Sequence, residues 1–79
     1  MLLGKKLQEI RKKLKLRQYE VAELLGVSQK NICAIESRED IYISTLKKYI
    51  SSLGGEIKVY VEFKNDEVIY DISSHIKEN

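Results

Sequence analysis

Apolar residues before Gly54-Gly55 recur at helical spacing, and apolar residues after it recur at every second position. Leu3, Leu7, Ile10 and Leu14 follow one another at steps of three or four, which is typical of an amphipathic helix. We expect this first helix to bury that stripe and to expose the lysines between its members. The pattern therefore predicts a helical segment at the start of the chain.

Three further helices are indicated before the glycine pair. The second starts near Gln18, points Val21, Ala22, Leu24 and Leu25 inward, and ends at Gly26, because glycine readily adopts the positive φ of a helix C-terminus. The third is capped by Ser28 and directs Ile32 and Ile35 to the core. The fourth is capped by Ser44, and its apolar stripe contains Leu46, Tyr49, Ile50 and Leu53.

A period of two follows the glycines, which predicts strands. Ile57, Val59, Val61 and Phe63 alternate with polar residues or tyrosine, and Val68, Tyr70 and Ile72 alternate again after the turn residues 64–67. The two runs predict a β-hairpin, in which Tyr70 packs inward and Tyr60 lies on a face that needs a cover. The fold class expected is α+β, with residues 1–55 helical, 56–72 a hairpin of the same domain, and 73–79, including His75, a frayed tail.

The composition limits the ways in which such a small domain can be stabilised. Seventy-nine residues suggest one domain of marginal stability as a monomer. Cys33 has no partner for a disulfide, and with His75 it is too small a set for a zinc site, so no metal or cofactor is expected. Cys33 is expected to be a partly buried packing residue in a cytoplasmic, reducing environment, and no apolar run is long enough for a membrane span. Self-association is the remaining support, so we expect a homodimer.

Charge is divided unevenly along the chain. Residues 1–40 carry nine basic and six acidic side chains, net +3, and residues 41–79 carry five and six, net −1. The asymmetry favours a helical half that faces a polyanion and a second half with another task. The task expected for the hairpin is dimerisation, through Val59, Tyr60, Val61, Phe63 and Tyr70. An enzyme is not expected, because no nucleophile is paired with a histidine and no carboxylate cluster or phosphate loop is present.

Residues 18–37 contain the most specific pattern. A helix-turn-helix needs a small residue where two helices cross and a glycine in the turn, and Ala22 and Gly26 stand at those offsets. Apolar residues that lock the second helix against the first follow the same spacing: Val21, Leu25, Val27, Ile32 and Ile35.

The run from Leu16 to Gln29, continued by Ile35-Glu36, resembles the Xre-type, lambda-repressor-like helix-turn-helix family. With Ser44–Ile50, Leu53-Gly54-Gly55 and the strand pair, the chain is similar to small antitoxins of the HigA and HipB kind. The resemblance implies a bundle of four or five helices followed by a dimerising hairpin. It also implies a repressor of its own promoter, with a palindromic double-stranded DNA operator and a cognate toxin as candidate partners.

The resemblance assigns roles to single residues. Base reading is implied for the helix after Ser28, at Gln29, Lys30, Asn31 and Ala34. Phosphate contacts are implied for Arg17, Gln18, Arg38, Ser44 and Thr45. A structural ion pair is implied between Arg11 and Glu36.

Three functions remain open from the sequence. The first is an antitoxin that also represses its own operon, and the second is a phage-type or chromosomal repressor without a toxin. The third is a partner-inhibiting protein that has lost DNA binding, which Ala34 and the absence of a capping Ser or Thr at Arg17 favour. A neighbouring gene for a toxin would separate the first two, and DNA binding would exclude the third.

Overall fold

A computed structural model describes residues 2–65 and 69–75. Four helices come first, followed by two strands and a short 3-10 helix. They are α1 (Leu3–Lys13), α2 (Gln18–Leu25), α3 (Gln29–Glu36), α4 (Ile43–Ser52), β1 (Tyr60–Glu62), β2 (Ile69–Asp71) and the 3-10 helix Ser73–His75. The α+β class is confirmed, with four helices in the described residues.

The ends of α2 and α3 follow the expected local chemistry. Gly26 ends α2 with φ 71°, in the left-handed region that favours glycine. The Ser28 hydroxyl oxygen accepts a hydrogen bond from the Asn31 backbone N–H at 3.1 Å, which caps α3. At the start of α2, the Glu20 carboxylate accepts a hydrogen bond from the Arg17 N–H at 2.9 Å. The Ser44 cap was wrong: α4 already begins at Ile43, with Tyr42 before it.

The core lies between the four helices. Its buried apolar members are Leu7, Val21, Ala22, Ile32, Ile41 and Tyr49. The predicted inward positions of Ile10, Leu14 and Leu24 were wrong, since all three are exposed. The buried stripe of α1 instead passes through Gly4, Leu7 and Arg11, and Ile10 lies about a quarter turn away from it. Leu24 lies on the outer side of α2, away from Val21 and Ala22, and Val27 in the turn is also partly open at 39% exposure.

Gly4 brings α1 against the end of α3. A Cβ built on Gly4 would lie 2.5 Å from the carbonyl carbon and oxygen of Glu36, so only glycine permits this approach. The first amides of α1 are also satisfied there: Gly4 N–H donates to the Arg38 carbonyl at 2.9 Å, and Leu3 N–H donates to the Glu39 carbonyl at 3.2 Å. The start of α1 and the end of α3 are thus joined directly.

The hairpin is shorter than the alternation predicted. Its antiparallel register pairs Tyr60 with Asp71, Val61 with Tyr70, and Glu62 with Ile69. Tyr70 is 53% exposed, so its assignment as a packing residue was wrong; its ring lies nearly perpendicular to that of Phe63, with a centroid distance of 6.3 Å. The ring of Phe63 is exposed as well.

The segment after β2 is more ordered than the predicted frayed tail. Residues 73–75 form a 3-10 helix, and the Val59 N–H donates to the Ser73 hydroxyl at 2.6 Å. Residues 66–67 of the predicted turn, Val68 of the predicted second strand and residues 76–79 of the predicted tail lie outside the described part of the chain. Among the residues that are described, no helix has the length and apolar character that a membrane span requires.

Candidate nucleic-acid interface

The exposed face of α3 is the first element of the site. Gln29, Lys30, Asn31 and Ala34 are all exposed, while Ile32 and Glu36 on the opposite side are buried. Lys30 and Ala34 are four residues apart and share the centre of the outer face. The residues expected to read bases are therefore all accessible, three of them in the first turn of the helix and Ala34 one turn later.

Cys33 is also exposed on α3, contrary to expectation. It is exposed rather than partly buried, because Ile32 and Glu36 take the two core positions of that helical turn. Its neighbours at helical spacing are Gln29 and Lys30. Helical periodicity anchored on Ile32 and Glu36 would have placed it outside.

A second group of polar residues lies between α3 and the start of α4. Asn31, Arg38 and Thr45 line one surface pocket of about 240 Å³, with Lys48 on the same wall and Leu25, Val27 and Ile35 as its apolar lining. Lys48 was not predicted, although its position three residues after Thr45 puts it on the same helix face. Ser44 is half-buried and does not line this pocket. Two cationic side chains and two hydrogen-bonding groups thus converge beside α3.

The two expected phosphate contacts on α2 differ in accessibility. Arg17 precedes the helix and is exposed. Gln18 is half-buried, and its Nε2 donates to Glu36 Oε1 at 3.1 Å. One N–H of the amide remains for another acceptor, so the phosphate contact of Gln18 stays a prediction.

Glu36 is the point at which all four helices meet. Its buried carboxylate accepts hydrogen bonds from Arg11 Nε at 2.7 Å and Arg11 Nη2 at 3.0 Å. Tyr49 Oη donates to the same carboxylate at 2.6 Å, in addition to Gln18. Arg11 Nη1 donates to the Leu16 carbonyl at 2.9 Å, which ties the segment between α1 and α2 to the network. The Arg11–Glu36 pair was expected from the family resemblance, whereas Tyr49 was expected only to pack. The hydroxyl of a buried tyrosine usually finds a hydrogen-bond partner, and this could have indicated its place in the network.

The surroundings of Arg11 and Glu36 keep both side chains ionised. Burial alone would raise the pKa of Glu36, but the hydrogen bonds from Arg11, Tyr49 and Gln18 together lower it. The pKa of Arg11 is raised by its hydrogen bonds with Glu36. Burial and the adjacent Glu36 charge raise the pKa of Tyr49, so its phenol stays protonated and donates. The network thus ties the end of α3 to α1, α2 and α4 through a buried carboxylate whose partners are costly to remove.

This arrangement defines a class of protein. Two short helices joined by a turn at a left-handed glycine, with the second helix capped, exposed at its front and locked at its back, form a helix-turn-helix domain. The helix-turn-helix family model matches residues 7–59, and the chain belongs to that family, in its Xre-type branch. The family is one of DNA-binding regulators and not of enzymes.

Relatives within this family are named as antitoxins. The chain is 39% identical over 69 residues to "Putative antitoxin HigA3" of Mycobacterium tuberculosis, covering 84% of this chain and 63% of the relative. It is 33% identical over 63 residues to "Putative antitoxin HigA2" of the same organism, covering 77% of this chain and 62% of the relative. The chain thus spans less than two thirds of the length of either relative.

Two solved structures are similar to about four fifths of this chain. One is a HigA antitoxin described by induced DNA bending and unique dimerization, with 38% identity and a TM-score of 0.73, over 82% of this chain and 87% of that chain. The other is a DNA-bound antitoxin HigA3, with 37% identity and a TM-score of 0.74, over 81% of this chain and 83% of that chain.

Proposed function

We propose that the chain is a sequence-specific DNA-binding repressor that acts as a homodimer and as the antitoxin of a type II toxin–antitoxin operon, whose promoter it controls. The partners in this proposal are a palindromic double-stranded operator, a second copy of the chain and a cognate toxin. The proposal places the protein in the cytoplasm with its DNA. It follows what is said of the HigA relatives, one of which is DNA-bound and another of which dimerises.

The presentation of α3 carries the proposal. The helix exposes Gln29, Lys30 and Asn31 in its first turn, where a recognition helix contacts base edges in the major groove. Gln29 has the amide that pairs bidentately with adenine, and Lys30 has the donor that suits guanine O6 and N7. Ala34 and the exposed Cys33 supply small side chains one turn later, which allow close approach to a thymine methyl.

The positions of the cations support a phosphate-binding role on both sides of α3. Arg17 is exposed just before α2, and Arg38 and Lys48 flank the pocket beside α3. Such contacts fix the register of a protein on the duplex without specifying sequence. Thr45 adds a hydroxyl in the same pocket. The neighbouring Ser44 is half-buried, and its phosphate contact stays a prediction.

The locked back of α3 suits this task. A helix that reads bases must enter the groove at one angle, and side chains from α1, α2 and α4 all hold the last residue of α3. Ser28 fixes the opposite end. The reading residues are therefore preorganised, which lowers the entropy lost on binding.

The direct test is binding to duplex DNA from upstream of the chain's own gene, measured by fluorescence anisotropy at several salt concentrations. Gln29→Ala and Lys30→Ala should each cost about 1–3 kcal/mol on the preferred operator and relax base preference at defined positions. Arg17→Ala should weaken binding to all sequences alike and reduce the salt slope by about one.

Lys5→Ala is the matched control. Lys5 is exposed and lies next to Gly4, the residue of α1 that approaches Glu36. Glu36 is at the end of α3, about 10 Å along the helix axis from Gln29. If the folded wild-type dimer does not bind at low salt, the repressor proposal fails and the partner-inhibiting function replaces it. If DNA binding holds but co-expression does not neutralise the product of any neighbouring gene, the stand-alone repressor replaces the antitoxin.

A further inference from the structure

The sequence around β1 is self-complementary about Tyr60. Residues 56–64 read Glu-Ile-Lys-Val-Tyr-Val-Glu-Phe-Lys. Stepping outward from Tyr60 in both directions, each residue meets one of matching chemistry: Val59 and Val61, Lys58 and Glu62, Ile57 and Phe63, Glu56 and Lys64. Apolar positions correspond to apolar ones, and each charge corresponds to its opposite. An antiparallel copy of the same segment would therefore be a matched partner.

The backbone of β1 presents the required hydrogen-bonding groups. The Val59 carbonyl accepts from the Ile72 N–H at 3.0 Å, and the Val59 N–H donates to Ser73, so both groups of Val59 face β2. Backbone groups of successive residues in a strand point to opposite edges. Those of Lys58, Tyr60 and Glu62 consequently face the outer edge of β1. All three side chains are exposed.

We infer that two copies of this chain join along the outer edges of β1, antiparallel, with the two-fold axis at Tyr60. The inference rests on the proposed homodimer and specifies how it is built. Pairing in this register sets Lys58 against the partner subunit's Glu62, and Glu56 against the partner subunit's Lys64. The result is a four-stranded sheet in which every outward group of residues 58–62 is paired.

Charge selects this register over its neighbours. Only shifts by two residues keep the same backbone groups in contact. One such shift would oppose Lys58 to the partner subunit's Lys64, and the other would oppose Glu62 to the partner subunit's Glu56. Like charges directly opposite each other destabilise a sheet. The segment is thus matched in one register and mismatched in both adjacent ones.

The β2 edge lacks this complementarity. Its outward residues are Ile69 and Asp71, because Tyr70 pairs with Val61 inside the hairpin. Symmetric pairing about Asp71 would oppose two carboxylates, and pairing about Tyr70 would place Ile69 against a carboxylate. Pairing along the β1 edges would also place the apolar faces of the two hairpins side by side. In each hairpin this face contains Val59, Val61 and Phe63, together with Tyr70.

Charge reversal in the full-length protein tests the register. The dissociation constant of the dimer is measured by analytical ultracentrifugation for wild type, Lys58→Glu and Glu62→Lys. Each single change turns two symmetric attractions into repulsions, so each should raise the dissociation constant about tenfold at low salt. Glu23→Lys, a reversal at an exposed position on α2, is the matched control and should leave it unchanged.

Mixing the two variants separates pairing from damage to the hairpin. In a heterodimer of Lys58→Glu with Glu62→Lys, both cross-strand pairs again join opposite charges, so the equimolar mixture should dimerise about as tightly as wild type. The double variant K58E/E62K should also regain wild-type affinity. Unchanged affinity in the single variants, or a mixture no tighter than its components, would overturn the register. Loss of the dimer in Ile69→Lys alone, with K58E and E62K unaffected, would assign the interface to β2 instead.

The same variants keep this inference distinct from DNA binding. None of the changed residues lies on α3, so at protein concentrations well above the dissociation constant each variant should bind the wild-type operator. If the wild-type dimer forms and responds to these reversals but binds no DNA, the register stands and the repressor proposal fails. If DNA is bound but the reversals do not change dimerisation, the repressor proposal stands and the register is wrong.

Discussion

Replacing Gly4 by alanine should change the stability of the fold through two effects of opposite sign. Alanine is the better helix former, by up to about 1 kcal/mol, and Gly4 lies in the first turn of α1. A Cβ at this position, however, would lie 2.5 Å from the Glu36 carbonyl carbon and oxygen and 2.6 Å from the Ile35 carbonyl oxygen. Ordinary contacts of this kind are at about 3.5 Å, so backbone must move by about 1 Å. Overpacking of this degree costs about 1–3 kcal/mol.

The steric effect should prevail, because all three nearest atoms belong to backbone. We expect Gly4→Ala to lower the unfolding free energy by about 1–2 kcal/mol, which lowers the Tm of a domain this size by about 5–15 °C. The measurement is thermal denaturation followed by far-UV circular dichroism at fixed protein concentration, since dimerisation makes Tm concentration-dependent. Lys5→Ala, next to it on the exposed side, should change stability by less than about 0.5 kcal/mol. A Tm for Gly4→Ala at or above wild type would refute the close approach of α1 to α3.

Two further predictions concern the network on Glu36. Tyr49→Phe removes a 2.6 Å hydrogen bond to a buried carboxylate, so the free energy of unfolding in urea should fall by about 1.5–3 kcal/mol, and an unchanged unfolding midpoint would contradict the hydrogen bond. Since the pKa of Glu36 is lower in the folded chain than its ordinary value of 4.5, the ionised carboxylate stabilises the fold above that pH, and this stability is lost as the pH falls through the folded pKa. Glu36→Gln should therefore flatten the loss of stability in acid, measured by urea unfolding across the acidic range; equal slopes for the two proteins would count against the assignment.

Local signals account for the parts of the fold that were predicted well. Gly26 and Ser28 determine the end of α2 and the start of α3 through backbone conformation and a single side-chain hydrogen bond, both of which depend on adjacent residues only. The helix-turn-helix was therefore readable from its spacing. The exposed face of α3, apart from Cys33, followed from the same periodicity once Ile32 was taken as buried.

Features that depend on distant residues were missed. The approach of Gly4 to Glu36 joins positions thirty-two residues apart, and nothing near Gly4 in the sequence indicates it. The partners of the Tyr49 hydroxyl and the Gln18 amide are likewise set by how the helices cross. Leu24 was assigned to the core because an apolar residue on a short helix was assumed to be buried, whereas the eight residues of α2 present only one side to the bundle.

The connection between α4 and the hairpin has a consequence for how such a protein can evolve. Residues 53–59 join the end of α4 to β1, so the length of this segment helps to set where the strands lie relative to α3. In the proposed dimer, gaining or losing residues in that segment would move the two recognition helices apart or together without touching the residues that read bases. A lineage could thus adapt to operators with a new half-site spacing while keeping its half-site sequence, and base preference and spacing would drift independently.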